Sequence, residues 1–184
     1  MELARVPLAF TRVQRTHPPS MPILTPAELQ SHLNPRQRLL GIDLGTKTIG
    51  LALSDTLLMI ASPLKTLVRG KLAADAAALE DLCVKQGVGA LVLGLPLNMD
   101  GSEGPRCQAT RAFARNLLRI NDPVIVFWDE RLSTAAVTRG MIDADLTRAR
   151  RAEIVDRAAA AYILQGLLDR LRHMPGTDSL THSL

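Results

Sequence analysis

Aromatic residues are scarce. Phe10, Phe113, Phe127, Trp128 and Tyr162 make up only 3% of the 184 residues, too few for a binding surface built on stacking platforms. Any grip on a nucleic acid therefore has to be mainly electrostatic. Cysteine is scarcer still: Cys83 and Cys107 stand alone, which excludes a disulfide scaffold and a zinc cluster of CxxC type and points to a reducing cytosol. The four histidines, His17, His32, His173 and His182, fall in the expected tails or the N-terminal segment, so no histidine base is expected in the body of the chain. No GxSxG elbow and no Walker loop occurs. No apolar run approaches the ~18 residues needed to span a bilayer, which excludes a membrane helix. The opening MELARVPLAFTRVQRTHPPS has a short apolar stretch broken by Arg12 and no small-residue cleavage site, so no secretory signal is expected. Carboxylate chemistry with a hard metal is what these absences leave.

The residues present suit one compact domain. Hydrophobic residues are 47% and charged residues 22%, a mix that supports a sizeable core and excludes wholesale disorder. The net charge is +4, but residues 1 to 40 carry five Arg against two Glu, a surplus of three that leaves +1 for the rest. Of the 22 basic residues 18 are Arg, whose planar fork matches phosphate better than lysine's point charge.

Residues 1–37 read as an extension, partly disordered, in which Met21 is the expected initiator and residues 1–20 form a tail. Thr25-Pro26-Ala27-Glu28 supplies an N-cap, an N1 proline and a first-turn acid, predicting a short helix near 26–33. From Leu39 the runs LLGID, IGLALSD and ASPLKTL predict three antiparallel strands. Leu72, Ala76, Leu79 and Cys83 recur at helical spacing over 71–86, with Asp75, Asp81 and Lys85 turned away. The continuous apolar run Ala90 to Pro96 predicts a central strand covered on both faces. After the loop NMDGSEGP, Pro105 opens a helix to about Ile120, VIVFWDE is a buried strand, Ser133 caps a short helix to about Ile142, and a long helix runs from near Thr147 to about Arg172. Residues 38–172 are thus one folded domain and 173–184 a frayed tail. The order βββαβαβαα predicts a mixed five-stranded sheet flanked by helices, the element order of a ribonuclease H-like α/β domain.

Three acids stand out. Asp43 ends an apolar strand and is followed by Gly45-Thr46-Lys47, so it either satisfies a turn or offers a carboxylate beside backbone amides and a cation. Gly45 is needed there for a positive φ or a close backbone approach. Asp129-Glu130-Arg131 emerges from the strand VIVFW, where α/β sheets usually keep their ligands. Of the adjacent acids Glu130 is favoured, since alternation places it opposite Asp129. Asp156 lies on the stripe of Ala149, Ala152, Ala159, Ile163 and Leu167 and is its only charge. A carboxylate on a packing face is expensive unless it is paired, for example with Arg131, or bound to metal. Arg106, Arg111, Arg115 and Arg119 have no acid between them, and the last three share a helix face. Their repulsion is tolerated when solvent screens it or phosphates neutralise it. Arg148, Arg150 and Arg151 oppose the dipole of the last helix, a placement that suits a polyanion.

Four motifs in register, GIDLGTKTIGLALSD at 41–55, LVLGLPLNMDGSEG at 91–104, WDERLST at 128–134 and EIVDRAAAAYILQ at 153–165, resemble the bacterial Holliday junction resolvase-like family, also called pre-16S rRNA nucleases. The resemblance covers about 38–172. It implies a ribonuclease H-like fold and a catalytic, metal-binding centre of Asp43, Glu130 and Asp156 holding Mg²⁺ or Mn²⁺. Gly45, Thr46, Lys47, Asn98, Asp100, Arg111, Arg131, Ser133 and Thr134 would lie around the substrate. The implied activity is metal-dependent hydrolysis of structured nucleic acid, processing the 5′ end of pre-16S rRNA in the cytoplasm. Alternatives are a resolvase of four-way DNA, which would have to act as a homodimer rather than a monomer, and a non-catalytic nucleic-acid binding module. An ATP-binding relative of the sugar kinases is set aside, because the chain is too short for two lobes.

Overall fold

The structure is a computed structural model and describes residues 23–132 and 148–174. Its elements are β1 (Ile23–Leu24), α1 (Pro26–His32), β2 (Arg38–Leu44), β3 (Thr48–Ser54), β4 (Ala61–Val68), α2 (Leu72–Gln86), β5 (Val88–Leu95), α3 (Pro105–Asn121), β6 (Ile125–Asp129), a 3₁₀ turn (Glu130–Leu132) and α4 (Arg148–Arg172). They build one mixed sheet in the order β1-β6-β5-β2-β3-β4. The hairpins β2–β3 and β3–β4 are antiparallel, while β2–β5, β5–β6 and β1–β6 are parallel. The predicted ribonuclease H-like element order is therefore found from β2 onward. The short helix expected from Ser133 to Ile142 falls outside the described residues.

Two expectations need correction. The sheet has six strands rather than five, because Ile23 and Leu24 pair in parallel with Ile125 and Val126. A two-residue strand is too short to show alternation, and its stability comes from Leu24, which is buried against the sheet. Asp75, expected to turn to solvent, is buried and accepts the Gly70 backbone N–H at 2.9 Å. It closes the turn that enters α2 by taking up the N–H of the residue before the N-cap Lys71. The expected Thr25 cap is in place: the Glu28 N–H donates to Thr25 Oγ1 at 3.4 Å, the Thr25 N–H donates to Glu28 Oε2 at 2.8 Å, and Pro26 occupies the first turn.

Alternation along the strands divides the core into two layers. Leu39, Ala52, Ala90, Val92, Val126 and Trp128 face α4, where Ala160, Ile163, Leu164, Leu167 and Leu168 cover them, and Leu29 of α1 joins from the side. Leu40, Ile42, Leu51, Leu91, Leu93 and Ile125 face α2 and α3, meeting Leu79, Phe113 and Leu117. The segment from Ile23 to Leu33 thus shares the core of the main domain. No described helix is long and apolar enough to cross a membrane.

This two-layer division decides where the acids point. Asp43 follows Leu39 and Gly41 at steps of two and so belongs to the α4 face of β2. The C-terminal ends of β2, β5 and β6 lie side by side, and the 3₁₀ turn with Glu130 follows β6 directly.

Candidate active site

Asp43 is 7% exposed, and its strand neighbours on both sides are glycines. Gly50 is its direct partner across the β2–β3 ladder. Gly94 lies one step beyond the Ile42–Leu93 pair of β2 and β5. Neither glycine could carry a side chain. A Cβ on Gly50 would run into the backbone carbonyl of Asp156, and one on Gly94 would lie 2.7 Å from Glu130 Oε1 and collide with Ile163. The row Gly50–Asp43–Gly94 therefore has one carboxylate rooted in it, with Asp156 lying over one flank and Glu130 over the other. Gly41 completes the approach of α4, since its Cβ would be 2.8 Å from both the Ala160 carbonyl oxygen and Leu164 Cβ. The close helix approach expected from the alanines of α4 is thus made chiefly by glycines of the sheet.

The side chains around the row are held by specific bonds. Thr48 Oγ1 donates to Asp156 Oδ2 at 2.6 Å, so the half-buried acid of α4 is fixed by the first residue of β3. Asp129 points to the other side, as alternation requires, and receives Nε and Nη2 of Arg131, the latter at 2.7 Å. That guanidinium holds the Asp129 carboxyl below its ordinary range, against the opposing effect of burial. Arg131, the alternative partner considered for Asp156, instead pairs with Asp129, and Asp156 is held by Thr48. Among the described residues no group of three His, Cys, Asp or Glu side chains stands close enough to hold one metal ion. The donor set fits a hard cation in kind, since all three groups offer carboxylate oxygens. Glu130 and the backbone of Asp156 flank the strand row that carries Asp43, but the three carboxylates are not gathered into one cage.

The turn after Asp43 is built for close approach rather than for positive φ. Gly45 is absent from the residues with positive φ, and a Cβ on it would be 3.0 Å from both the carbonyl oxygen and the Oγ1 of Thr48. Its N–H donates to the Thr48 carbonyl at 2.9 Å. Thr46 and Lys47 stand exposed at the tip. Arg69 tethers this turn from the end of β4: its Nη1 donates to the Gly45 carbonyl and its backbone N–H to the Lys47 carbonyl, both at 2.9 Å.

Asn98, Asp100 and Arg131 come together as well. The Asn98 side chain donates to Ser102 Oγ at 2.8 Å, Asp100 Oδ1 accepts from the Ser102 N–H and hydroxyl, and Arg131 Nη1 reaches the carbonyls of Asn98 and Met99 at 3.4 Å. The Ser102 hydroxyl lowers the Asp100 pKa, with the Ser102 N–H next in effect. Arg111 is not brought to the acids. Its guanidinium lies 4.9 Å from the centroid of Phe127, which packs in the α2/α3 layer, and its Nε donates to Glu103 Oε1 at 2.7 Å. The sequence gives α3 a basic face free of acids, but Glu103 just before the helix is the partner of Arg111. Ser133 and Thr134 fall outside the described residues, as do the side chains of Arg148, Arg150 and Arg151. Thr48, Gly50, Arg69 and Gly94 are the contributors that sequence reasoning missed. Only Gly50 left a readable signal, as the residue opposite Asp43 once the 43–50 hairpin is drawn.

Residues 37–170 match the family model described as RuvX: Holliday junction resolvase. A protein of Methylocella silvestris named "Putative pre-16S rRNA nuclease" is 62% identical over 152 residues, covering 83% of this chain and 94% of that one. A namesake from Paramagnetospirillum magneticum is 63% identical over 149 residues, covering 81% and 96%. Among solved structures, T. thermophilus RuvC in complex with Holliday junction substrate is similar at a TM-score of 0.46 and 13% identity, over 73% of this chain and 96% of that one. With its family model spanning the whole sheet from β2 to β6 and the helix that carries Asp156, the chain belongs to the RuvX Holliday junction resolvase family.

Proposed function

We propose that this chain is a divalent-metal-dependent nuclease that hydrolyses phosphodiester bonds in structured RNA, acting on the 5′ end of pre-16S rRNA. The observation that carries the reading is the glycine-flanked row, which leaves space over Asp43 for Glu130 from one side and Asp156 from the other. The names of the relatives supply the substrate.

In this reading Asp43, Glu130 and Asp156 would hold Mg²⁺ or Mn²⁺, and a bound cation would supply an activated water and stabilise the departing oxygen. Asp43 is the fixed point, since its strand lies in the middle of the sheet. Thr48 holds the carboxylate of Asp156 at the start of β3, two residues from Gly50. The turn Gly45-Thr46-Lys47 forms one wall and would offer the Lys47 ammonium to phosphate. Asn98, Asp100 and Arg131 form the opposite wall, where Arg131 fixes the loop rather than standing free for substrate. Lys47 gives a sequence-independent contact that weakens with salt.

The test is cleavage of a pre-16S leader RNA and of a four-way DNA junction by the purified chain, with and without Mg²⁺ or Mn²⁺. Metal-dependent cutting of the RNA, abolished in Asp43→Asn while RNA binding persists, is the expected result. Cutting confined to the junction favours the resolvase reading, to which the family description points. Binding without cutting of either substrate leaves a non-catalytic module and sinks the proposal.

A further inference from the structure

Eight large apolar side chains stand exposed among the described residues: Ile23, Leu57, Met59, Ile60, Val68, Val84, Met99 and Ile120. Six of them lie toward the end of the sheet away from the acids, at the start of β1, in the β3–β4 loop, or at the C-terminal ends of α2 and α3. Val68, at the acid end, sits on the edge strand β4, the outermost of the sheet. Met99 is different. It is the most exposed of the eight, at 90%, and it stands on the loop that follows β5, the central strand beside Asp43.

That loop is not a slack connection. The Asn98 N–H donates to the Ser102 carbonyl at 2.9 Å and the Gly101 N–H to the Asn98 carbonyl at 2.8 Å. Gly101 takes φ +87, a conformation that side chains resist. The Asn98–Ser102–Asp100 bonds close the turn, and Arg131 clamps the carbonyls of Asn98 and Met99 from the residue next to Glu130. A long apolar side chain is thus held, almost fully exposed, on a tightly bonded backbone between the polar residues Asn98 and Asp100, on the loop that Arg131 ties to the turn carrying Glu130. Single exposed apolar residues are ordinary on protein surfaces, but this one is fixed in position with its backbone ordering cost already met.

We infer that Met99 is a wedge that seats against the face of a nucleobase flanking the scissile phosphate and separates it from its neighbour. This rests on the nuclease reading above. A phosphodiester drawn to the acid row brings sugar and base with it, and the base face is the apolar part of that ligand. Methionine is among the side chains that nucleic-acid-binding proteins insert between base steps. Among the described residues the aromatics do not offer an alternative: Phe113 and Trp128 are buried, and Phe127 and Tyr162 are half-buried.

The experiment uses the full chain in its Asp43→Asn form, which isolates binding from cleavage, and a pre-16S leader RNA carrying 2-aminopurine at successive positions. A rise in fluorescence at one position on binding, lost in Met99→Ala and retained in Met99→Leu, is expected. Removing the contact should weaken binding about tenfold, the scale of burying one such side chain. In chains that retain Asp43, Met99→Ala should slow cleavage of a fully paired substrate but not of one with an abasic site at the flanking position. Equal fluorescence in Met99→Ala and the parent, or an unchanged ratio between paired and abasic substrates, overturns the wedge even if the chain proves to be a nuclease. RNA binding with the fluorescence signature but no cleavage in chains that retain Asp43 instead overturns the nuclease reading and leaves the wedge standing.

Discussion

Gly50→Ala puts the geometry of the site to its hardest test. The added methyl would overlap the carbonyl carbon and oxygen of Asp156 and lie 3.1 Å from the Arg157 nitrogen. All three are backbone atoms, so no rotamer change relieves the clash. Restoring contacts near the ~3.5 Å optimum requires β3 and α4 to separate by on the order of 1 Å at that point. Overpacking of this kind costs about 1–3 kcal/mol, equivalent to a fall of roughly 2–12 °C in melting temperature for a chain of this size. A displacement of ~1 Å of a group that must meet reacting atoms costs about 100-fold in rate. The control is Leu168→Ala, which opens a cavity in the same α4 layer at a fully buried position and should cost ~2–5 kcal/mol. Residue 168 lies more than three helical turns beyond Asp156. Thermal melts and single-turnover cleavage of the leader RNA should separate the two variants: both lose stability, and only Gly50→Ala loses most of its cleavage rate. Wild-type cleavage by a destabilised Gly50→Ala chain would show that the placement of Asp156 over Gly50 is irrelevant to catalysis.

Thr48→Val removes the 2.6 Å bond to Asp156 and should cost about 1 kcal/mol in urea unfolding and roughly tenfold in cleavage by the same rate arithmetic, with Thr48→Ser retaining both. The Arg131 hydrogen bond lowers the Asp129 pKa in the folded state, so that stabilisation is fully present above the ordinary value of 3.8 and is lost as pH falls through the lower folded value. Urea melts at about pH 5 and about pH 3 should therefore show a smaller acid-induced loss in Asp129→Asn than in the parent chain; equal losses would refute the pairing. Burial, with Glu80 adding to it, pushes the Cys83 thiol up to about 12, and Cys107 is fully buried. Neither should react with iodoacetamide at about pH 8 until the chain is unfolded, because the thiolate is the reactive species; mass spectrometry with and without denaturant reads the outcome.

Local signals carried most of the fold into the sequence. The Thr25 cap, the apolar runs of β2 to β6 and the 3.6-residue period of α2 and α4 each depend on neighbours a few positions away, and each element appears within a residue or two of its expected bounds. The misses are those in which a contact outside the element's own repeat decides. β1 is a strand only because β6 is there to pair with it. Asp75 looks like a solvated helix residue until the Gly70 N–H is folded back onto it. Arg111 reads as a free phosphate contact in a run without acids, yet Glu103 and the ring of Phe127 occupy its guanidinium.

The site shows the same division more sharply. Each acid is conspicuous alone, by its position at a strand end or on an apolar helix stripe, but what lets the backbone of α4 and the Glu130 side chain approach the row of Asp43 is the lack of side chains at two other positions. Gly50 can be foreseen, because a tight hairpin after Asp43 pairs residue 43 with residue 50. Gly94 cannot, because its place beside Asp43 follows from the parallel register of β2 and β5, which lie far apart in the chain. An acid on the inner face of a central strand is a costly residue if its neighbours fill the space above it, since nothing then reaches it to share its charge. With a glycine on each side, a helix and a turn can descend on the same row, and the buried carboxylate becomes the centre of a site instead of a defect in the core. Substituting either glycine should therefore damage function out of proportion to stability, whereas truncating the large apolar side chains of the same layer should do the reverse.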